Sequence, residues 1–61
     1  MRRFYNAQGF IAILRELKSG KYRLRISDSK GQTICSKLLS CESDAGAELN
    51  MYGDYWTERA V

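Results

Sequence analysis

Three features of the chain predict an α+β fold, a three-stranded antiparallel sheet with one C-terminal helix packed on one face (β-β-β-α). Lys21-Tyr22-Arg23-Leu24-Arg25-Ile26 alternates polar and apolar residues without a break. Polar, glycine-containing segments bound that run on both sides, at Lys18-Ser19-Gly20-Lys21 and Ser27-Asp28-Ser29-Lys30-Gly31-Gln32. From Ser43 onward the apolar spacing changes from the period of a strand to that of a helix.

The first strand is expected over about 10–17, where Phe10, Ile11, Ala12, Ile13, Leu14 and Leu17 form an aliphatic-rich run that ends at the Gly20 break. The second, about 21–27, places Tyr22, Leu24 and Ile26 on one face and Lys21, Arg23 and Arg25 on the other, because successive strand side chains point to opposite faces. Residues 27–32 have the composition of a type I turn followed by a left-handed glycine, a common hairpin closure. A third strand over about 32–40 is expected to turn Ile34, Ser36 and Leu38 inward and Thr33, Cys35, Lys37 and Leu39 outward. The helix is expected over about 43–59 with Ser43 as N-cap, on the stripe Ala45, Leu49, Tyr52, Trp56 and Ala60. Gly46 and Gly53 weaken it by about 1 kcal/mol each relative to Ala, so packing must hold it; ending at Gly53-Asp54 is the other reading. No internal repeat, low-complexity run or linker is evident, and 1–61 reads as a single domain. Its expected core joins Phe10, Ala12, Leu14, Tyr22, Leu24, Ile26, Ile34 and Leu38 to Leu49, Tyr52 and Trp56.

Composition narrows the chemistry. With 61 residues the core is small, and without histidine there is no imidazole base for the usual nucleophilic triads and no His-containing zinc set. Cys35 and Cys41 lack C-x-x-C spacing and are too few for a four-cysteine metal site or a disulfide framework. Asp54 and Glu58 read as a solvated helix face, and Lys18-Ser19-Gly20-Lys21 lacks the spacing of a phosphate loop. No catalytic constellation or cofactor site is expected, so the chain reads as a non-enzymatic binding protein. The Gly9–Leu14 apolar run is far shorter than the roughly 20 residues that span a membrane, and no cleavage-site pattern follows it. With reduced cysteines, the expected location is cytoplasmic.

The net charge of +3 conceals a division along the chain. Residues 1–40 carry nine basic side chains against Glu16 and Asp28, whereas residues 41–61 carry five acids against Arg59. On the expected sheet, Arg15, Lys21, Arg23, Arg25 and Lys37 project from the uncovered face with Ile11, Ile13 and Thr33, making a basic surface with apolar interleaving. Arg2-Arg3-Phe4-Tyr5 precedes the first strand either as an arm that grips nucleic acid or as a segment folded over the core edge. Arg2, Arg3, Arg15, Lys21, Arg23, Arg25 and Lys37 are therefore the candidate nucleic-acid contacts, with duplex DNA the expected partner, since a narrow sheet can enter the major groove.

The order of three strands and a helix over residues 10–59, with basic residues on the open face, resembles the small DNA-binding domains of the integrase N-terminal and plant AP2 type. That resemblance implies DNA contact through Arg15, Arg23, Arg25 and Lys37. More locally, Gly20-Lys21-Tyr22-Arg23-Leu24-Arg25 with Gly31-Gln32, Ser36 and Ser43 is similar to one module of the bacterial YegP-like family, which implies a related strand-and-helix unit. The chain also looks like a small accessory protein of a phage or prophage. The alternative function is accordingly a protein-interaction module that modulates a host protein or pairs as a homodimer, with Met51 and Tyr55 as a small exposed patch.

Overall fold

The computed structural model describes residues 1–59. Five strands and one helix follow in the order β1 (Arg2–Tyr5), β2 (Ile11–Glu16), β3 (Tyr22–Ser27), β4 (Thr33–Leu39), α1 (Asp44–Asn50) and β5 (Thr57–Arg59). The sheet is antiparallel throughout, with spatial order β4-β3-β2-β1-β5. The expected three-stranded sheet is thus corrected to five strands, and the expected helix over 43–59 to a seven-residue one.

Three hairpin turns of one design build the meander. Asn6 N–H donates to Phe10 O and Gly9 N–H to Asn6 O; Leu17 with Lys21 and Gly20, and Asp28 with Gln32 and Gly31, repeat the same two bonds. The glycines, eleven positions apart at 9, 20 and 31, all adopt a left-handed conformation with φ of 85°, 86° and 89°, which L side chains rarely tolerate. In the first and third turns the leading side chain clasps the loop. Asn6 Oδ1 accepts from Gln8 N and Phe10 N, and Asp28 Oδ1 accepts from Lys30 N and Gln32 N. The strand-and-turn unit therefore repeats, although no residue-level repeat accompanies it. The signal for the unforeseen first hairpin is Asn6-x-x-Gly9, which matches Asp28-x-x-Gly31.

A bulge redirects β4. The third turn pairs Ser27 with Thr33, so an unbroken ladder would pair Ile26 with Ile34 and send Ile34, Ser36 and Leu38 inward, as the alternation predicts. Instead Ile26 pairs with Cys35, and Ile34 is the extra residue. One inserted residue reverses the faces of everything beyond it. Cys35, Lys37 and Leu39 turn toward α1, while Ile34 and Leu38 are 41% and 48% exposed, correcting their expected place in the core.

The core is Ala12, Leu14, Leu24, Ile26 and Leu39 against Ala45 and Leu49, with Phe4, Tyr22, Cys35, Tyr52 and Trp56 packed around it. Phe10 is half-buried at the end of the first turn. Ser43 does occupy the N-cap position, but its hydroxyl makes no capping bond and instead lies 3.0 Å from Cys41 Sγ.

The helix stops at Asn50, and the chain beyond it leaves helical backbone, with φ of 157° at Gly53 and 60° at Tyr55. β4 and β5 lie at opposite edges of the sheet, about 19 Å apart over four strand spacings. Seven helical residues advance only about 10 Å, and non-helical residues 51–56 cover the remainder. Trp56 joins the core from that connection rather than from a helical stripe. Its indole N–H donates to Leu49 O at 2.8 Å and Gly53 O at 3.2 Å, adding a second donor to the Leu49 carbonyl, which also accepts from Tyr52 N–H. Gly53 has a φ of 157°, which L side chains rarely adopt, and a Cβ there would displace the amide ends of Asn6 and Gln8. The expected stripe position Ala60 lies outside the described residues.

Replacing Asn6 by Ala removes the acceptor for two backbone N–H groups. The expected loss is about 1–3 kcal/mol, measured by urea unfolding. Asn6→Asp, which restores the arrangement of Asp28, should recover most of it.

Candidate nucleic-acid interface

The three-residue loops preserve parity: residues opposed across β1–β2 and β2–β3 are both even or both odd. Even positions of β2 and β3 face the helix, and odd positions face away. β5 continues this pattern, with Arg59 opposite Arg3 and Thr57 opposite Tyr5, whereas β4 beyond its bulge contributes Ser36 and Leu38 to the open side. Three cross-strand rows result. Arg15, Arg23 and Leu38 form one; Arg59, Arg3, Ile13, Arg25 and Ser36 form the next; Thr57, Tyr5, Ile11, Ser27 and Thr33 form the third.

Five arginines thus share a face whose strand positions include no carboxylate among the described residues. Arg15 and Arg23 are directly opposed, as are Arg3 and Arg59. Like charges directly opposed across a ladder destabilise a sheet, so the arrangement costs the isolated protein stability. Little among the described residues offsets it. Arg23 Nη1 donates to Ser36 Oγ at 3.3 Å, Arg59 lies 5.0 Å from the centre of the Tyr5 ring, and Arg3 Nε is buried without a hydrogen-bond partner. Ile13, Arg15, Arg23 and Arg25 line a depression of about 180 Å³.

The seven sequence-predicted residues divide in three ways. Arg3, Arg15, Arg23 and Arg25 are brought together on the open face. Lys21 is exposed where the second turn closes, just beyond the Arg15–Arg23 row. Arg2 and Lys37 lie on the other side, which corrects the expected position of Lys37; of the two readings of Arg2-Arg3-Phe4-Tyr5, the arm is overturned, since these residues pair with β2 as β1. Lys37 Nζ bonds Glu48 Oε1 at 2.6 Å, an interaction that raises its pKa. Arg2 forks onto Glu58 at 2.8 and 2.7 Å, pairs with Glu42 and stacks on Phe4. Cys35, expected among the open-face cations, sits on the helix side, where it pushes the Tyr52 phenol pKa up through a hydrogen bond.

Arg59 and Tyr5 complete the face; Arg59 was not among the sequence candidates, and Tyr5 entered only as part of the Arg2-Arg3-Phe4-Tyr5 arm. Nothing local marks Arg59, which lies in the acidic part of the chain; only the β1–β5 pairing places it beside Arg3. The Arg2–Glu58 fork helps hold that pairing. No helix among the described residues is long and apolar enough to cross a membrane. No family model, curated protein or solved structure matches the chain.

Hydrogen bonds from Arg2 hold the Glu58 carboxyl below its ordinary value of 4.5. Because the folded value is the lower one, the unfolded chain takes up a proton first as pH falls. The stabilisation by this pair is full above the unfolded value and disappears as pH drops through the folded value. Thermal melting against pH should show wild type above Glu58→Gln near neutrality, with the gap closing in acid; a gap independent of pH would contradict the assignment.

Proposed function

We propose that this protein binds nucleic acid through the open face of its sheet, using Arg3, Arg15, Arg23, Arg25 and Arg59, with Lys21 at the border. The observation that carries the reading is the pair of directly opposed arginines, Arg15–Arg23 and Arg3–Arg59, on a face without strand carboxylates. A polyanion converts this repulsion into attraction, since each neutralised phosphate also releases condensed counterions. Three of the seven acids reinforce the polarity: Glu42, Glu48 and Glu58 lie with the helix side, paired to Arg2 and Lys37.

Arg2 and Lys37 drop out of the proposed contact set because both are engaged by carboxylates on the opposite side. The open face is also too broad for the groove-filling arrangement expected of a narrow sheet. Five strands span about 19 Å between the outer pair, against a major groove about 12 Å wide. Phosphate contact, rather than insertion beside base edges, is the mode this surface suits.

A second reading, protein interaction, draws on Met51 and Tyr55, which are 74% and 85% exposed. Tyr55 has a φ of 60°, an uncommon conformation for a bulky residue. A binding surface there would leave nucleic-acid affinity unaffected by Tyr55→Ser and would weaken capture of a protein partner.

The double substitution Arg15→Gln with Arg23→Gln separates function from folding. Fluorescence anisotropy with labelled DNA should show reduced affinity and a shallower salt dependence between about 50 and 200 mM. Thermal stability should be equal to or above wild type because the opposed charges are gone. Unchanged affinity would refute the assigned face.

A further inference from the structure

We infer that the nucleic acid is unpaired, a single strand of DNA or RNA laid across the β-strands with phosphates over the arginine rows and bases over the Tyr5–Ile11–Ser27–Thr33 row. This deepens the nucleic-acid reading above and rests on it. The basis is the unequal division of the open face. The two rows nearest the second turn carry every arginine of the face, whereas the third row carries none and consists of Thr57, Tyr5, Ile11, Ser27 and Thr33.

Adjacent rows on one face are two residues apart along β1, β2, β3 and β5, about 6.8 Å. The surface therefore has a cationic band and, beside it, a neutral band of one aromatic, one aliphatic and three hydroxyl side chains. A single strand has the same division, with anionic phosphates along one side and unsatisfied base faces and edges along the other. A duplex does not. It presents phosphates outward and keeps its base faces stacked inside, so the neutral row would gain no partner, and a sheet of this width cannot reach the base edges by entering the major groove.

The neutral row contains the groups that unpaired bases use. Tyr5 is half-buried and therefore held in place, with the Arg59 guanidinium 5.0 Å from its ring centre. An aromatic ring with an adjoining guanidinium offers a stacking surface to any base, because every base has a π-face. Ile11 extends that surface toward β3, and the hydroxyls of Thr57, Ser27 and Thr33 can donate to or accept from base edges. Stacking tolerates all sequences, so the contact should discriminate strandedness more than sequence.

The test compares three fluorescent ligands of about 12 units: a DNA strand without self-complementarity, its RNA counterpart, and the corresponding DNA duplex. At about 50 mM salt at least one single strand should bind about fivefold or more tightly than the duplex, and the stronger of the two identifies the source. Tyr5→Leu, which keeps an apolar residue in β1 but removes the π-face, should weaken single-strand binding about tenfold and duplex binding by much less. Tyr5→Phe should retain single-strand binding, and thermal melting of each variant checks that the sheet is intact. Duplex binding as tight as either single strand would overturn the unpaired assignment while leaving the nucleic-acid reading in place. Absence of binding to all three ligands would overturn both.

Discussion

Strand register is the constraint on which the rest of this small protein depends. Each hairpin turn has three residues between its closing pair and a left-handed glycine in its last loop position. A loop of that length opposes residues of equal parity, so the side chains at odd positions of β1, β2 and β3 all emerge on one side of the sheet. Arg3, Arg15, Arg23 and Arg25 occupy odd positions, and Ala12, Leu14, Leu24 and Ile26 occupy even ones. Core and candidate interface are therefore two consequences of the same turns. A loop one residue longer in the second turn would place Arg23 and Arg25 opposite the apolar face of β2.

The exception to parity serves the core. Without the extra residue Ile34, the inward positions of β4 would be Ile34, Ser36 and Leu38, an alternation with a serine at its centre. With it, they become Cys35, Lys37 and Leu39. Leu39 reaches the buried cluster, and Lys37 meets Glu48 of α1 at 2.6 Å. The change leaves Ile34 and Leu38 exposed and places Ser36 opposite Arg25 and within hydrogen-bond reach of Arg23. β4 is an edge strand, where an added residue disturbs only one neighbouring ladder.

Charge is sorted by the same geometry. Around α1 and the strand face beneath it, Arg2 and Lys37 find Glu42, Glu48 and Glu58. On the open side, arginine meets arginine. Exposed ion pairs contribute little individually, so this segregation matters less for stability than for the field outside the protein. A net charge of +3 is a weak description of a molecule that, among its described residues, keeps its arginines without carboxylate partners on one surface.

Residue order is enough to specify the features that local physics controls. Perfect alternation from Lys21 to Ile26 defined β3 and its two faces, the Gly20 and Gly31 turns joined it to both neighbours, and Arg15, Arg23 and Arg25 followed as one exposed group. Those contacts close within a few residues. Tertiary structure decided the rest. β1 has no polar–apolar alternation and β5 is exposed at every position, so neither carries a local strand signal; they pair because a chain returning from α1 reaches β1 across more than fifty intervening residues. Similarly, the spacing of Leu49, Tyr52 and Trp56 fits a helix equally well as a short helix followed by a connection that folds back, and only the pairing of residues 57–59 with β1 distinguishes them. Lys37 changed sides through a single bulge, Arg2 was withdrawn by its carboxylate partners, and Arg59 joined the arginines through a long-range pairing. Periodicity specifies which side chains alternate, but the phase of that alternation belongs to the neighbouring strand.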